Sequence, residues 1–192
     1  VHDRVGGLYL MGIGLDGVGE PELRFTTWDN TSHQWVDLAY LRVGRELGDN
    51  PDHAWSVVKL DNQWRLLDCT WAAGYMDANN QFVRQRCDFY FVTPPDRFIY
   101  DHFPEEQQWQ FVDPALNKDD YENMVYLRPP FFDHDLELRS HKRGAIKSGC
   151  CIKMEFGAPR DVLLNARILK GGRQDDASSL FVQRNGDGFD LN

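Results

Sequence analysis

The segment "DHAWSVVKLDNQWRLLDCTWAAGY", residues 52–75, carries a histidine, His53, near its start and an aspartate, Asp68, before its Cys-Thr-Trp. A carboxylate beside an imidazole fixes the ring's tautomer and stabilises its charged form. The other ring nitrogen can then take a proton from a nucleophile or return one to a leaving group. His53 and Asp68 are therefore candidate catalytic residues, a general base and the carboxylate that orients it. The same two residue types also occur as a plain hydrogen-bonded pair at the end of a partly buried hairpin, and spacing alone leaves both readings open.

Two apolar runs, 54–60 and 64–67, flank the polar break Asp61-Asn62 and read as a β-hairpin with a two-residue turn. Leu60 then pairs with Gln63, His53 faces Thr70, and Asp68 stands diagonally on the same face, about 7–8 Å away between backbones. A three-residue turn would send Asp68 to the opposite face. Trp55, Trp64 and Trp71 read as packing residues. A buried aromatic ring is worth roughly 3–5 kcal/mol and a charged hydrogen bond roughly 1.5–3 kcal/mol, so these tryptophans are expected to stabilise the hairpin more than the His–Asp pair does.

A base needs a nucleophile, and the first cysteine in the chain is Cys69. As a strand residue next to Asp68 it would point to the opposite face. Cys87, opening a strand "CDFYFV", reads as a small buried residue, and Cys150 and Cys151 lie in a β-rich tail. Other chemistries fare worse. His134 and His141 stand among scattered carboxylates without the clustering zinc requires. "RNGDGFDLN" lacks the register of a calcium loop, its "NGDG" reading as a turn. The glycine-rich residues 1–32 hold no G-x-G-x-x-G opening a helix. No metal and no cofactor is expected.

With its aromatic neighbours, the 52–75 string resembles the His-to-Asp stretch of the transglutaminase-like, papain-type superfamily. It is most similar to the branch with kyphoscoliosis peptidase, hillarin and the invertebrate LIM-plus-transglutaminase proteins. "HAW" opens one strand, "W-x-L-x-D-x-TW" lies on the next, and "FYFVTPPDRFIYDHFPEEQQWQ" follows. The likeness is strong over 52–112 and looser through "YENMVYLRPPFF" into the tail, where that branch carries an immunoglobulin-like domain. The resemblance implies that His53 is the general base, Asp68 its carboxylate, and Trp55 and Trp71 packing beside the site. His102 of "DHFP" also matches and reads as structural. The branch places a cysteine at the start of a helix upstream of the histidine, where the helix N-terminus favours the thiolate. The stretch "HQWVDLAYLRVGRELG" resembles that helix, with Gln34 or Trp35 where the cysteine would stand. The nucleophile is either lost or lies outside this chain. Without a thiolate, acyl transfer loses about a million-fold in rate, so the chain alone is expected to be silent. Protein substrates or cytoskeletal proteins are the implied partners, with a cytoplasmic, cytoskeleton-associated place.

The elements expected around the hairpin begin with a helix capped by Asn30, Thr31 or Ser32, striped by Val36, Ala39, Tyr40, Val43 and Leu47, and ended by Gly48. After the hairpin come the "CDFYFV" strand, a turn at Pro94-Pro95, a short helix and a stop at Pro104. The charged, proline-bounded residues 113–130 read as a linker, and β-like runs at 136–139, 150–156, 162–169 and 180–182 as a small antiparallel sandwich. The fold class is thus α+β: an incomplete transglutaminase-like domain over 1–112, a linker over 113–130 and a partial immunoglobulin-like sandwich over 131–192. The 192 residues are 42% hydrophobic and 27% charged, enough for a core, with a formal charge of −9. That charge argues against nucleic acid or an anionic membrane as partner, and the short basic stretch at 139–147 reads as a solvated turn. No run approaches the roughly 18 apolar residues of a membrane span. A start at Val1 suggests a fragment or processed product. Four cysteines in a chain this long suggest reduced cytosolic thiols.

Overall fold

A computed structural model describes residues 21–41, 47, 51–146, 152–170, 173–175 and 180–192. Its first elements are strands β1 (Pro21–Asp29), β2 (Gln34–Leu41), β3 (Ser56–Leu60) and β4 (Gln63–Leu67), then helix α1 (Cys69–Ala73). Next come β5 (Gly74–Met76), β6 (Phe82–Arg84), a 3-10 turn at Asp88–Tyr90, α2 (Pro95–Phe98) and a second 3-10 turn at Gln107–Gln110. Helix α3 (Lys118–Glu122), β7 (Tyr126–Leu127), α4 (Pro129–Asp133) and β8 (Glu137–Leu138) follow. The chain closes with β9 (Met154–Gly157), β10 (Leu164–Lys170), β11 (Arg173–Gln174), β12 (Val182–Asn185) and β13 (Gly188–Leu191). Antiparallel sheets with a few short helices place the protein in the α+β class.

These elements form two compact units, one of them Leu47–Lys118, the other joining Val1–Glu46 to Asp119–Asn192. The second unit is built of two sheets, ordered β11-β10-β1-β2-β7 and β12-β13-β9-β8. They meet where the rings of Phe25 on β1 and Phe156 on β9 lie 4.8 Å apart, with Leu23, Met154, Ile168 and Leu191 buried around them. This grouping differs from the sequential division expected at 113–130. The physical reason is strand pairing: β1 runs against β10 from Pro21↔Lys170 to Thr27↔Leu164, so early strands complete a sheet of late ones. The later part of the stretch expected to be a linker contributes to the core instead. Tyr121, Val125 and Leu127 are buried, and β7 pairs with β2.

The expected helix over residues 30–48 is also corrected. Residues 34–41 form β2, and Val43 and Gly48 lie outside the described residues. Leu38, Ala39 and Tyr40 are all buried in the middle of a sheet, and a strand covered on both faces shows the unbroken apolar run that a buried helix also shows. The polar residues expected to cap the helix make a turn instead. The Asp29 carboxylate accepts from the Thr31 and Ser32 amides, the same side-chain-to-backbone bond an N-cap would make. The Ser32 hydroxyl first, and then the Thr31 and Ser32 amides, bring the Asp29 carboxyl down to about 2. In the tail the expected strands are present as β8, β9, β10 and β12, and "NGDG" is the turn into β13, with Gly186 at φ 58°. Cys150 and Cys151 lie outside the described residues.

In the unit Leu47–Lys118 the hairpin has the expected register, Leu60↔Gln63 through Ser56↔Leu67. Its two turn residues, Asp61 (φ 46°) and Asn62 (φ 62°), both take the left-handed conformation that a two-residue turn matched to strand twist requires. Leu66, Tyr90 and Phe98 form the core beneath it, with Trp55, Ala72, Cys87 and Phe89 packed around.

Candidate active site

The strand ladder stops at Ser56↔Leu67, so His53 and Asp68 both lie just beyond it. Their contact is not the cross-strand diagonal expected within the sheet. It is made possible by a change of direction at Asp68, which is extended (φ −118°, ψ 97°) and caps α1. Its Oδ1 accepts from the amides of Thr70 (2.9 Å) and Trp71 (3.0 Å), donors that the first turn of a helix leaves unpaired. That pins one oxygen and aims the other, Oδ2, at His53, whose Nε2 lies 2.5 Å away. The two sequence-predicted site residues are therefore in direct hydrogen-bond contact.

The same oxygen meets a second imidazole. His102 Nε2 is 2.8 Å from Asp68 Oδ2, and its Nδ1 is 2.7 Å from Asp101 Oδ1. The Tyr90 hydroxyl donates to the other Asp101 oxygen at 2.7 Å. The backbone explains how a residue so far along the chain reaches Asp68. Leu66 and Thr93 exchange both backbone hydrogen bonds, and the Asp68 amide donates to Tyr90 O, so residues 90–93 lie alongside the end of β4. Helix α2, opened by Pro95, then turns the chain back. His102 N donates to Phe98 O, and its ring stacks on Phe98 at 3.9 Å.

Electrostatically, Asp68 is a buried anion with four donors around it. Burial opposes its charge, but the hydrogen bonds from the Trp71 amide, His102 and His53 outweigh burial and hold its carboxyl below the usual carboxylate range. An ionised Asp68 accepts from Nε2–H of His53, which leaves Nδ1 as that ring's basic nitrogen. The His53 side chain is 24% exposed whereas that of Asp68 is 1% exposed, so the imidazole is reachable from solvent and the carboxylate is sealed. Aromatic rings frame it: Trp71 stacks on His53 at 5.5 Å and stands 4.5 Å from His102, and Trp55 is 5.0 Å from His102. Both tryptophans pack beside the pair as expected, though Trp71 and Trp64 remain substantially exposed.

Other expectations need correction. Cys69 is the first residue of α1 and not a strand residue, and its thiol is exposed. Cys87 does not open a strand; it precedes the 3-10 turn at Asp88–Tyr90 and is half-buried against the core. Gln34 and Trp35, where the resemblance would place a helix-opening cysteine, lie on strand β2. His102, read as merely structural, sits inside the site. The signal available in the sequence was its acidic neighbour: "DH" repeats the Asp–His pairing in a segment rich in aromatic residues. His53, Asp68 and His102 are also the one group among the described residues whose donor atoms converge closely enough to hold a metal ion. Their 2.5 and 2.8 Å contacts to a single oxygen are hydrogen-bond contacts between the donor atoms themselves.

Comparison with known proteins gives several relatives, each matched over part of its length. The chain is 36% identical to kyphoscoliosis peptidase of Mus musculus over 101 residues, covering 52% of this chain and 15% of that protein. It is 30% identical to cytokinesis protein 3 of Schizosaccharomyces pombe over 121 residues, 62% of this chain and 14% of that one. It is 28% identical to the Lim and transglutaminase domain protein ltd-1 of Caenorhabditis elegans over 102 residues, 47% of this chain and 14% of that one. No family profile matches the chain, and no solved structure matches it.

Proposed function

Since this chain is, over about half its length, a relative of kyphoscoliosis peptidase and the LIM-and-transglutaminase proteins, we propose that its unit Leu47–Lys118 is part of a transglutaminase-like domain. In it His53 is the general base and Asp68 the carboxylate that orients it. The observation that carries this reading is the contact of His53 Nε2 with a buried Asp68 clamped by two backbone amides. The two-sheet unit is then the immunoglobulin-like partner. Its paired antiparallel sheets support that reading.

The acyl-transfer chemistry this pair serves is specific. His53 Nδ1 takes the proton of a cysteine thiol, and the thiolate sulfur attacks an amide carbonyl. The imidazolium gives its proton to the departing amine as the C–N bond breaks, leaving a thioester. Water then releases an acid, or a second amine forms a new amide. These 192 residues place no cysteine ahead of Cys69. The chain by itself is accordingly a catalytically silent module that acts through interaction with other proteins. The name of the fission-yeast relative, cytokinesis protein 3, supports a cytoplasmic, cytoskeleton-associated setting with cytoskeletal proteins as partners. Among the described residues no helix is long and apolar enough to cross a membrane.

A second reading has its own support. The chain spans about 15% of the length of kyphoscoliosis peptidase, and its His–Asp pair is fully assembled. A cysteine in a segment outside these residues would complete an active peptidase or protein-glutamine transglutaminase. The test compares this chain with the longer protein containing it, for amine incorporation into a glutamine-bearing protein and for amide hydrolysis. Silence of both supports the interaction module. Activity of the longer protein alone, abolished by His53→Ala, supports the enzyme. Activity of the longer protein that survives His53→Ala would remove His53 from the chemistry altogether.

A further inference from the structure

We propose that His102 is a positioning residue that donates hydrogen bonds from both ring nitrogens, Nε2–H to Asp68 and Nδ1–H to Asp101, and so locks the carboxylate on which the orientation of His53 depends. This rests on the reading of His53 and Asp68 given above and adds a residue to it.

The geometry carries the inference. Both nitrogens of His102 face carboxylate oxygens, at 2.8 Å and 2.7 Å, and the side chain is 1% exposed. A neutral imidazole has one N–H and one lone pair. It would set that lone pair against an oxygen at hydrogen-bond distance, a repulsive contact in a buried site. The titratable groups facing the ring account for the protons. Asp68 already accepts from two amides and His53. Asp101 accepts the Tyr90 proton on its other oxygen. His53 and Tyr90 stand with ring centroids 5.7 Å from His102. A doubly protonated His102 between Asp68 and Asp101 satisfies every one of these oxygens. The ring itself cannot swing, being stacked on Phe98 at 3.9 Å and hemmed by Trp71 and Trp55.

The consequence for His53 is geometric. Oδ1 of Asp68 is fixed by the α1 amides, and Oδ2 is held from behind by His102, so the carboxylate cannot rotate. His53 therefore meets an acceptor at one place and keeps its proton on Nε2.

The test is a long-range proton–nitrogen NMR spectrum of the histidine rings in the 192-residue chain at neutral pH. The expected result is two ring N–H groups on His102 and one, on Nε2, in His53. A His102 ring with one unprotonated nitrogen would overturn the proposal without any variant being made. Two substitutions then separate positioning from mere packing. The amide of His102→Gln can still donate to Asp68, whereas that of the shorter His102→Asn reaches only toward Asp101. His53 should keep its single Nε2–H tautomer in His102→Gln and fall to the tautomer mixture of a solvated histidine in His102→Asn. The same His53 tautomer in both folded variants would reject the positioning role. Should either variant fail to fold, the wild-type spectrum still decides. Ring protons are read whether or not a thiol ever reaches His53, so a failure here is distinguishable from a failure of the acyl-transfer reading.

Discussion

Asp68 is the residue on which the unit Leu47–Lys118 most visibly turns, because it caps a helix and joins two imidazoles while buried. Removing such a group strands its donors in the interior, so Asp68→Ala is expected to cost about 3–5 kcal/mol. Its depressed carboxyl pKa adds a pH signature. A folded-state pKa below the unfolded value of about 3.9 contributes stability that is complete above the unfolded value and is lost as pH falls through the folded one. The stability gap between wild type and Asp68→Asn, measured by urea unfolding, should therefore be wide at pH 7 and narrow steadily below pH 4. A gap of equal size at both ends would mean that the carboxylate charge contributes nothing. His53 is a different case. Its loss leaves Asp68 three donors, so His53→Ala should cost no more than the roughly 1.5–3 kcal/mol of one charged hydrogen bond, against about 3–5 kcal/mol for Phe98→Ala in the core. The same comparison lowers the expectation for Trp64 and Trp71, whose exposure places them below Phe98. At this scale the His53–Asp68 contact was legible, since both residues flank one hairpin. His102 was not, because only the pairing of Leu66 with Thr93 brings it in, and nothing local encodes that pairing.

The elements show where pattern reading succeeds and where it loses the physics. The β3–β4 hairpin was legible because Asp61 and Asn62 tolerate positive φ and the flanking runs are strand-like. Placing Val at position 62 forces a β-branched residue into the left-handed region, so Asn62→Val should destabilise by about 1–2 kcal/mol, whereas Asn62→Gly should be neutral or slightly stabilising. Thermal unfolding of the two variants checks this; equal melting temperatures would contradict the turn geometry. Gly74 is a second such point. It ends α1 at φ 155°, and a Cβ there would collide with the Val83 carbonyl on β6. Strand β2 was illegible for the opposite reason: it is buried on both faces, so its residues lose the alternation that marks a strand.

For the whole molecule, the mixed strand and helix runs and the family resemblance pointed to the α+β class, but the order of the chain concealed how it is assembled. A domain drawn as residues 131–192 would lack β1 and β2, and β10 would lose its partner along the full length of β1. Expressed alone, 131–192 should show neither a cooperative unfolding transition nor dispersed amide resonances, and adding 21–41 in trans or by fusion should help restore both. A well-folded 131–192 would show that the β1–β10 pairing is dispensable. We propose that this chain holds a base, His53, and its carboxylate, Asp68, but no thiolate for them to serve. The most direct measurement is mass spectrometry of the intact chain after treatment with an amide-mimicking, thiol-directed electrophile, beside His53→Ala. Any labelling of the exposed Cys69 should be slow and identical in the two proteins. Rapid labelling of Cys69 that disappears in His53→Ala would contradict the proposal, and would identify Cys69 as the nucleophile.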